Sequence, residues 1–258
     1  MTTLVCWCGR DSRGPASLYI ATDSRITWPG GSTWDSGRKL AVRAGRPEML
    51  AFAGDVTLVQ SILLALSEPE VTDASLRSRL EQLTAEYPWP QNLGGTAVVF
   101  ARRVGSGMTG SFVVTAYEFR GPDWLQVQHP IPEGHSDIVC VYGSGATPAL
   151  DEVRRWMEHD VSDRTSRSVF SGFCDALRRG KDPRTGGPPQ LAGIYRSRPA
   201  LEFGLIWNDG LFVAGTEPLA TADLDSIEWR NDLFERCDPR TKARLIGAQR
   251  HARPYGLR

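Results

Sequence analysis

Lysine is almost missing from this sequence: of 30 basic residues only Lys39, Lys181 and Lys242 are lysine, and the rest are arginine. Each of the three therefore raises the question of why an ammonium is needed there. Net charge is missing as well, because 30 acidic residues balance the basic ones across 258 residues. No global field draws such a chain to nucleic acid or to an anionic membrane, and the locally basic stretch 240–258 reads as a solvated tail or a subunit contact. Long apolar runs are also lacking. The longest, Val56 to Leu66, carries Thr57, Gln60 and Ser61 and is too short to span a bilayer. The start Met1-Thr2-Thr3-Leu4-Val5 has no basic leader region and reaches Gly9 and Gly14-Pro15 before an apolar core could form. Cysteine is limited to five scattered residues, and Cys6-Trp7-Cys8 has the alternation of a strand rather than a zinc spacing. These thiols read as buried in a reducing compartment, so the expectation is a cytoplasmic protein with no metal and no membrane contact. With 41% hydrophobic and 23% charged residues, collagen, disorder and coiled coil are excluded.

What is present reads as alternating groups of strands and helices. Thr3 to Trp7 and Ser17 to Ala21 are β-rich runs around a Gly/Pro/Ser turn and predict a hairpin beginning almost at the terminus. Arg38 to Val42 and Glu48 to Phe52 predict two more strands. Ala53-Gly54-Asp55 then opens a helix with Val56, Val59, Ile62, Leu63 and Leu66 on its apolar face, and a second helix runs from Asp73 to Glu86. Strands are expected at Ala97 to Ala101, Phe112 to Phe119, Leu125 to Gln128 and Ile138 to Tyr142. Helices follow at Pro148 to His159 and Ser166 to Arg178, then strands at Ala192 to Tyr195, Phe203 to Trp207 and Leu211 to Val213. Strands, two helices, strands, two helices, strands is not strict βαβ alternation. It predicts an α+β chain in which two antiparallel sheets stack between helix layers, a four-layer αββα sandwich. The boundary is expected near Gly215, with residues 1–214 as the main domain and 215–258 as an extension of unassigned role.

Chemistry is suggested first by Met1-Thr2, a start that methionine aminopeptidase trims because threonine is small. Trimming leaves a hydroxyl and a free α-amine on one residue, a nucleophile with its own base: the amine has a pKa of about 7.7–8.0 and can be neutral at working pH. Five further motifs follow in order: Ile20-Ala21-Thr22-Asp23-Ser24-Arg25-Ile26-Thr27, Gly37-Arg38-Lys39-Leu40, Ala51-Phe52-Ala53-Gly54-Asp55, Tyr142-Gly143-Ser144-Gly145 and Lys181-Asp182-Pro183-Arg184-Thr185-Gly186-Gly187. Each alone has a plain structural reading: Asp23 as a turn cap, Lys39 as a solvated strand residue, Ser144 as a helix N-cap, 182–187 as a loop. Together, over Thr2 to Val213, they resemble proteasome β-subunits and the bacterial HslV peptidase, which are N-terminal nucleophile hydrolases.

That resemblance implies Thr2 as nucleophile with Met1 removed, Asp23 as its acidic partner, Lys39 as the lysine beside the hydroxyl, and Ser144, Asp182 and Thr185 as the polar group around the terminal amine. It implies the backbone N–H of Ala51 as the oxyanion donor and Ile26, Gly37, Met49, Ala53 and Thr57 as walls of the first substrate pocket. Those walls are mostly apolar, so an apolar side chain is expected before the cleaved bond. The implied activity is a threonine-type peptidase acting on peptides or proteins through an acyl-enzyme, without cofactor. Its subunits are expected in a homo-oligomeric ring, with an ATP-dependent unfoldase as a possible partner. Two alternatives remain open: a small-amide acylase of the same fold, and a non-catalytic scaffold or binding subunit that keeps Met1. The match breaks at Pro188-Pro189-Gln190, where the family has an acidic residue entering a strand, and after Gly215.

Overall fold

The computed structural model describes residues 2–28, 30–68, 70–88, 93–159 and 164–254. Among them the chain is mixed α/β, with several sheets and four α-helices. The amino-terminal hairpin pairs β1 (Leu4–Asp11) with β2 (Gly14–Thr22) in the register Leu4↔Thr22 to Cys8↔Leu18. Two short strands, β3 (Ile26–Thr27) and β4 (Thr33–Trp34), pair with each other. Next come β5 (Leu40–Val42), β6 (Glu48–Ala53), α1 (Val56–Leu63) and α2 (Asp73–Glu86). The antiparallel run β7 (Ala97–Val104), β8 (Ser111–Phe119) and β9 (Trp124–His129) leads to β10 (Asp137–Tyr142). After α3 (Ala146–His159) and α4 (Ser166–Arg179) come β11 (Gln190–Tyr195), β12 (Leu201–Glu202), β13 (Gly204–Trp207) and β14 (Gly210–Val213). The last strands are β15 (Trp229–Arg230) and β16 (Arg236–Cys237).

One five-stranded sheet has the order β10-β1-β2-β11-β12, and a second has β5-β6-β7-β8-β9. Side chains alternate across a strand, and in β1 both sets are apolar. Leu4, Cys6 and Cys8 enter a cluster shared with Met49, Ala51, Ala53, Val99 and Val114 of the second sheet, while Val5 and Trp7 pack on Val153, Phe170 and Phe173 of α3 and α4. Strand β6 repeats the pattern: Leu50 and Phe52 face away from the shared cluster, toward Leu58 and Ile62 of α1 and Leu76 and Leu80 of α2. A strand buried on both faces reads as a continuous apolar run, which is why these strands are legible in the sequence.

Local signals set the helix ends. Thr72 and Ser75 cap α2 reciprocally, and α4 stops at Gly180 in the left-handed conformation (φ 57°). Residues 215–254 do not stand apart. Strand β15 joins β13 in parallel, and Phe234 sits in the α3/α4 cluster against Trp7, Tyr19 and Phe170. Arg253 pairs with Asp175 of α4 and lies over the Trp156 ring. Among the described residues, no helix is long and apolar enough to cross a membrane.

Candidate active site

The site forms where the chain enters β1. Thr2 and Thr3 are buried directly before that strand, and the turn after β10 is wrapped around them. A Cβ on Gly143 (φ +95°) would sit 1.9 Å from the Thr2 carbonyl oxygen, and one on Gly145 would sit 1.8 Å from Thr3 Oγ1 and 3.0 Å from Thr185 Cγ2. Only glycine lets the 143–145 turn come this close, and Gly145 N–H donates to the Thr2 carbonyl at 3.3 Å. The two glycines thus bring the amino terminus, Ser144 and the 182–187 loop to one place.

Asp23, at the end of β2, is fully buried and accepts four hydrogen bonds. Thr3 N–H (3.0 Å) and Lys39 Nζ (2.8 Å) donate to Oδ1, and Arg25 N–H (3.2 Å) and Gly186 N–H (3.0 Å) donate to Oδ2. Lys39 is 1% exposed and also donates to the Arg25 carbonyl at 2.6 Å. Burial pulls the Lys39 pKa below the usual lysine range, and the Asp23 charge opposes that pull. The nucleophile implied by the resemblance therefore lies one peptide away from an amide that shares a carboxylate oxygen with this ammonium. Thr2 Oγ1 itself is buried and has no hydrogen-bond partner among the described residues.

Asp182 and Thr185 are buried in the loop after α4, where Thr185 N–H and Oγ1–H both donate to the Asp182 carbonyl. Burial alone would raise the Asp182 pKa. The nearby Ser144 hydroxyl and the Arg184 amide outweigh it and hold the carboxyl below the usual range. The Ser144 hydroxyl lies near that carboxylate without reaching hydrogen-bond geometry, so Ser144 Oγ is left, like Thr2 Oγ1, as a buried oxygen with no partner. Thr2, Asp23, Lys39, Ser144, Asp182 and Thr185 are thus gathered into one region, from five separate stretches of chain.

The other expected residues divide. Ile26 and Gly37 touch, since a Cβ on Gly37 would lie 2.4 Å from the Ile26 side chain, and Ala53 approaches Gly143. Met49 and Ala53 are both fully enclosed in the cluster shared by the two sheets, so in this structure neither presents free surface to a pocket. The expected role of Ala51 is corrected. Phe52 N–H donates to the Lys39 carbonyl and Arg43 N–H to the Glu48 carbonyl, so even-numbered residues of β6 face β5. The Ala51 amide therefore faces Val99 across the β6/β7 ladder and is not directed at the site. The Thr57 side chain and Met1 lie outside the described residues.

Two features of the site were not foreseen. Gln190, the first residue of β11 and 1% exposed, donates to the carbonyls of Asp23 (3.3 Å) and Gly37 (2.7 Å) and accepts from Lys39 N–H (3.0 Å). It occupies the position where the sequence departs from the family, and a polar residue at the head of an apolar strand was the available signal. Arg25 forms a two-pronged pair with Asp35 (2.7 and 2.8 Å) and donates to the Pro183 carbonyl, tying the segment before Lys39 to the 182–187 loop. Among the described residues, no group of three His, Cys, Asp or Glu side chains is placed to hold a metal ion. Comparison of the chain with protein-family models and with curated proteins finds no match.

Proposed function

We propose that this chain is a threonine-type N-terminal nucleophile hydrolase of the proteasome β-subunit and HslV kind, cleaving peptide bonds. The observation that carries the reading is the buried Lys39–Asp23 pair, whose shared oxygen also holds the Thr3 amide beside Thr2. A lysine in a chain that uses arginine at nearly all its basic positions, sealed from water on a carboxylate that also holds the Thr3 amide, is costly as structure and useful as chemistry. Its compact positive charge favours the alkoxide form of a neighbouring hydroxyl and disfavours protonation of a neighbouring amine.

In the proposed reaction Thr2, freed of Met1, attacks the peptide carbonyl while its own α-amine takes the hydroxyl proton. The amine returns that proton to the leaving group, an ester to Thr2 forms, and water hydrolyses it. Ser144, Asp182 and Thr185 orient the amine. Since the Ala51 amide is engaged in a ladder, another donor must stabilise the tetrahedral oxygen. Three apolar clusters, one between the sheets and one between each sheet and a helix pair, support the four-layer αββα sandwich that this class uses. Five unpaired, buried cysteines suit a reducing cytoplasm. By resemblance the working form is a homo-oligomeric ring, served by an ATP-dependent unfoldase.

Intact mass of the purified protein, with and without a threonine-directed covalent inhibitor, tests the reading. Loss of Met1 and one adduct per chain are expected, with Thr2→Ala abolishing both the adduct and turnover; retained Met1 with no adduct would overturn it. A panel of short peptide amides should favour apolar residues before the cleaved bond. Faster cleavage of small amides than of peptides would move the assignment to an acylase.

A further inference from the structure

Glu152 is a carboxylate on α3 with 1% exposure, and three cations lie within ion-pair distance of it. Arg155, one turn along the same helix, is 3.1 Å from Oε2; Arg179 and Lys181 are 3.2 and 3.6 Å from Oε1. One neighbouring cation would neutralise a buried carboxylate, and Arg155 can do so from within α3. The other two come from elsewhere. Arg179 is the last residue of α4, Gly180 reverses the chain, and Lys181 directly precedes Asp182. The support beneath Glu152 is stiff: a Cβ on Gly172 of α4 would lie 2.6 Å from Val153 Cα and 3.0 Å from the Glu152 carbonyl oxygen, so the two helices are in backbone contact at this point. The far end of the loop is also fixed, with Gly186 N–H on Asp23 Oδ2 and the Gly186 carbonyl accepting from Ser24 and Arg25.

We propose that Glu152 anchors the near end of the 182–187 loop, acting through Arg179 and Lys181 to set where Asp182 and Thr185 stand. It is a positioning residue, remote from the reacting atoms. Its effect on turnover rests on the hydrolase reading above; its hold on the loop does not. The second of the three lysines thereby has a defined partner.

Arg155 supplies an internal control, because its removal takes one cation from the same carboxylate without touching the loop. The experiment compares Arg179→Ala/Lys181→Ala, Arg155→Ala and Glu152→Gln in the full chain, reading amide hydrogen exchange at Thr185 and Gly186 together with kcat and KM on an apolar peptide amide. The double variant should exchange these amides at least about tenfold faster and lose about tenfold in kcat, with KM changed less than about twofold, as expected when a positioned group drifts. Arg155→Ala should stay within about twofold of the parent in every reading. Glu152→Gln should follow the double variant; if it does not fold, the double variant and Arg155→Ala decide. A double variant indistinguishable from Arg155→Ala in exchange overturns the anchor. Absence of any Thr2 adduct or turnover in the parent protein would sink the hydrolase reading, while the exchange comparison would still decide the anchor.

Discussion

The Lys39–Asp23 pair of the site and the Arg240–Asp225 pair of the extension have nearly the same nitrogen–oxygen separation, 2.8 and 2.7 Å. Their side chains are 2% and 0% exposed in the first and 64% and 62% exposed in the second. Length therefore says little about what either contact does. In the extension, water competes for both partners and salt screens them, so a two-pronged geometry adds little. At the site neither partner has water to return to, and each is needed to keep the other tolerable. The extension is attached by buried apolar groups, Phe234 and Trp229, together with part-exposed ion pairs of Arg253 and Asp232 to α4, whereas the site is held by polar contacts whose removal leaves charges stranded.

The largest expected effect is that of Lys39→Ala, which strands the Asp23 carboxylate: turnover should vanish and stability should fall by about 3–5 kcal/mol in urea unfolding. Retained turnover would mean that the buried ammonium has no chemical part. Of intermediate size is the acid limb of stability. Because the folded Asp182 carboxyl lies below its ordinary value, its contribution is complete above about pH 4 and is lost as pH falls through the lowered value. Asp182→Asn should flatten that limb in thermal melts taken across the acid range, and an unchanged acid profile would count against the polarity assigned to this loop. The smallest is Arg240→Ala, expected to leave the melting temperature unchanged at physiological salt. If it destabilised the protein as much as Lys39→Ala, the contrast between the two regions would fail.

The sequence made the periodic parts of this molecule legible. Strands such as β1 and β6 are apolar on both faces, and α2, α3 and α4 fall within two residues of the expected ranges, because period and capping are local signals. The direction of the Ala51 amide was not legible. It depends on which neighbour shares each hydrogen bond, and shifting the register by one residue would reverse it. Met49 was placed at a pocket wall by the resemblance, and only the packing of the second sheet shows it enclosed in the core. Gln190 was passed over although it is a polar residue heading an apolar strand: its three partners are backbone groups distant in sequence, so its type marks it as unusual without showing what it holds. Lys39 was singled out by the resemblance and by the rarity of lysine, and Glu152 was missed because an ordinary glutamate on a helix carries no mark until burial is known.

The four donors around Asp23 have one more consequence. Its carboxylate offers about four lone-pair positions, and each is taken by an N–H. With every acceptor position facing a donor, the carboxylate cannot turn without breaking at least one of these contacts. Nor could an amide stand in for it: asparagine would present its own N–H groups either to Thr3 and Lys39 or to Arg25 and Gly186. One side chain thus ties together the amino terminus, Lys39 and the 182–187 loop.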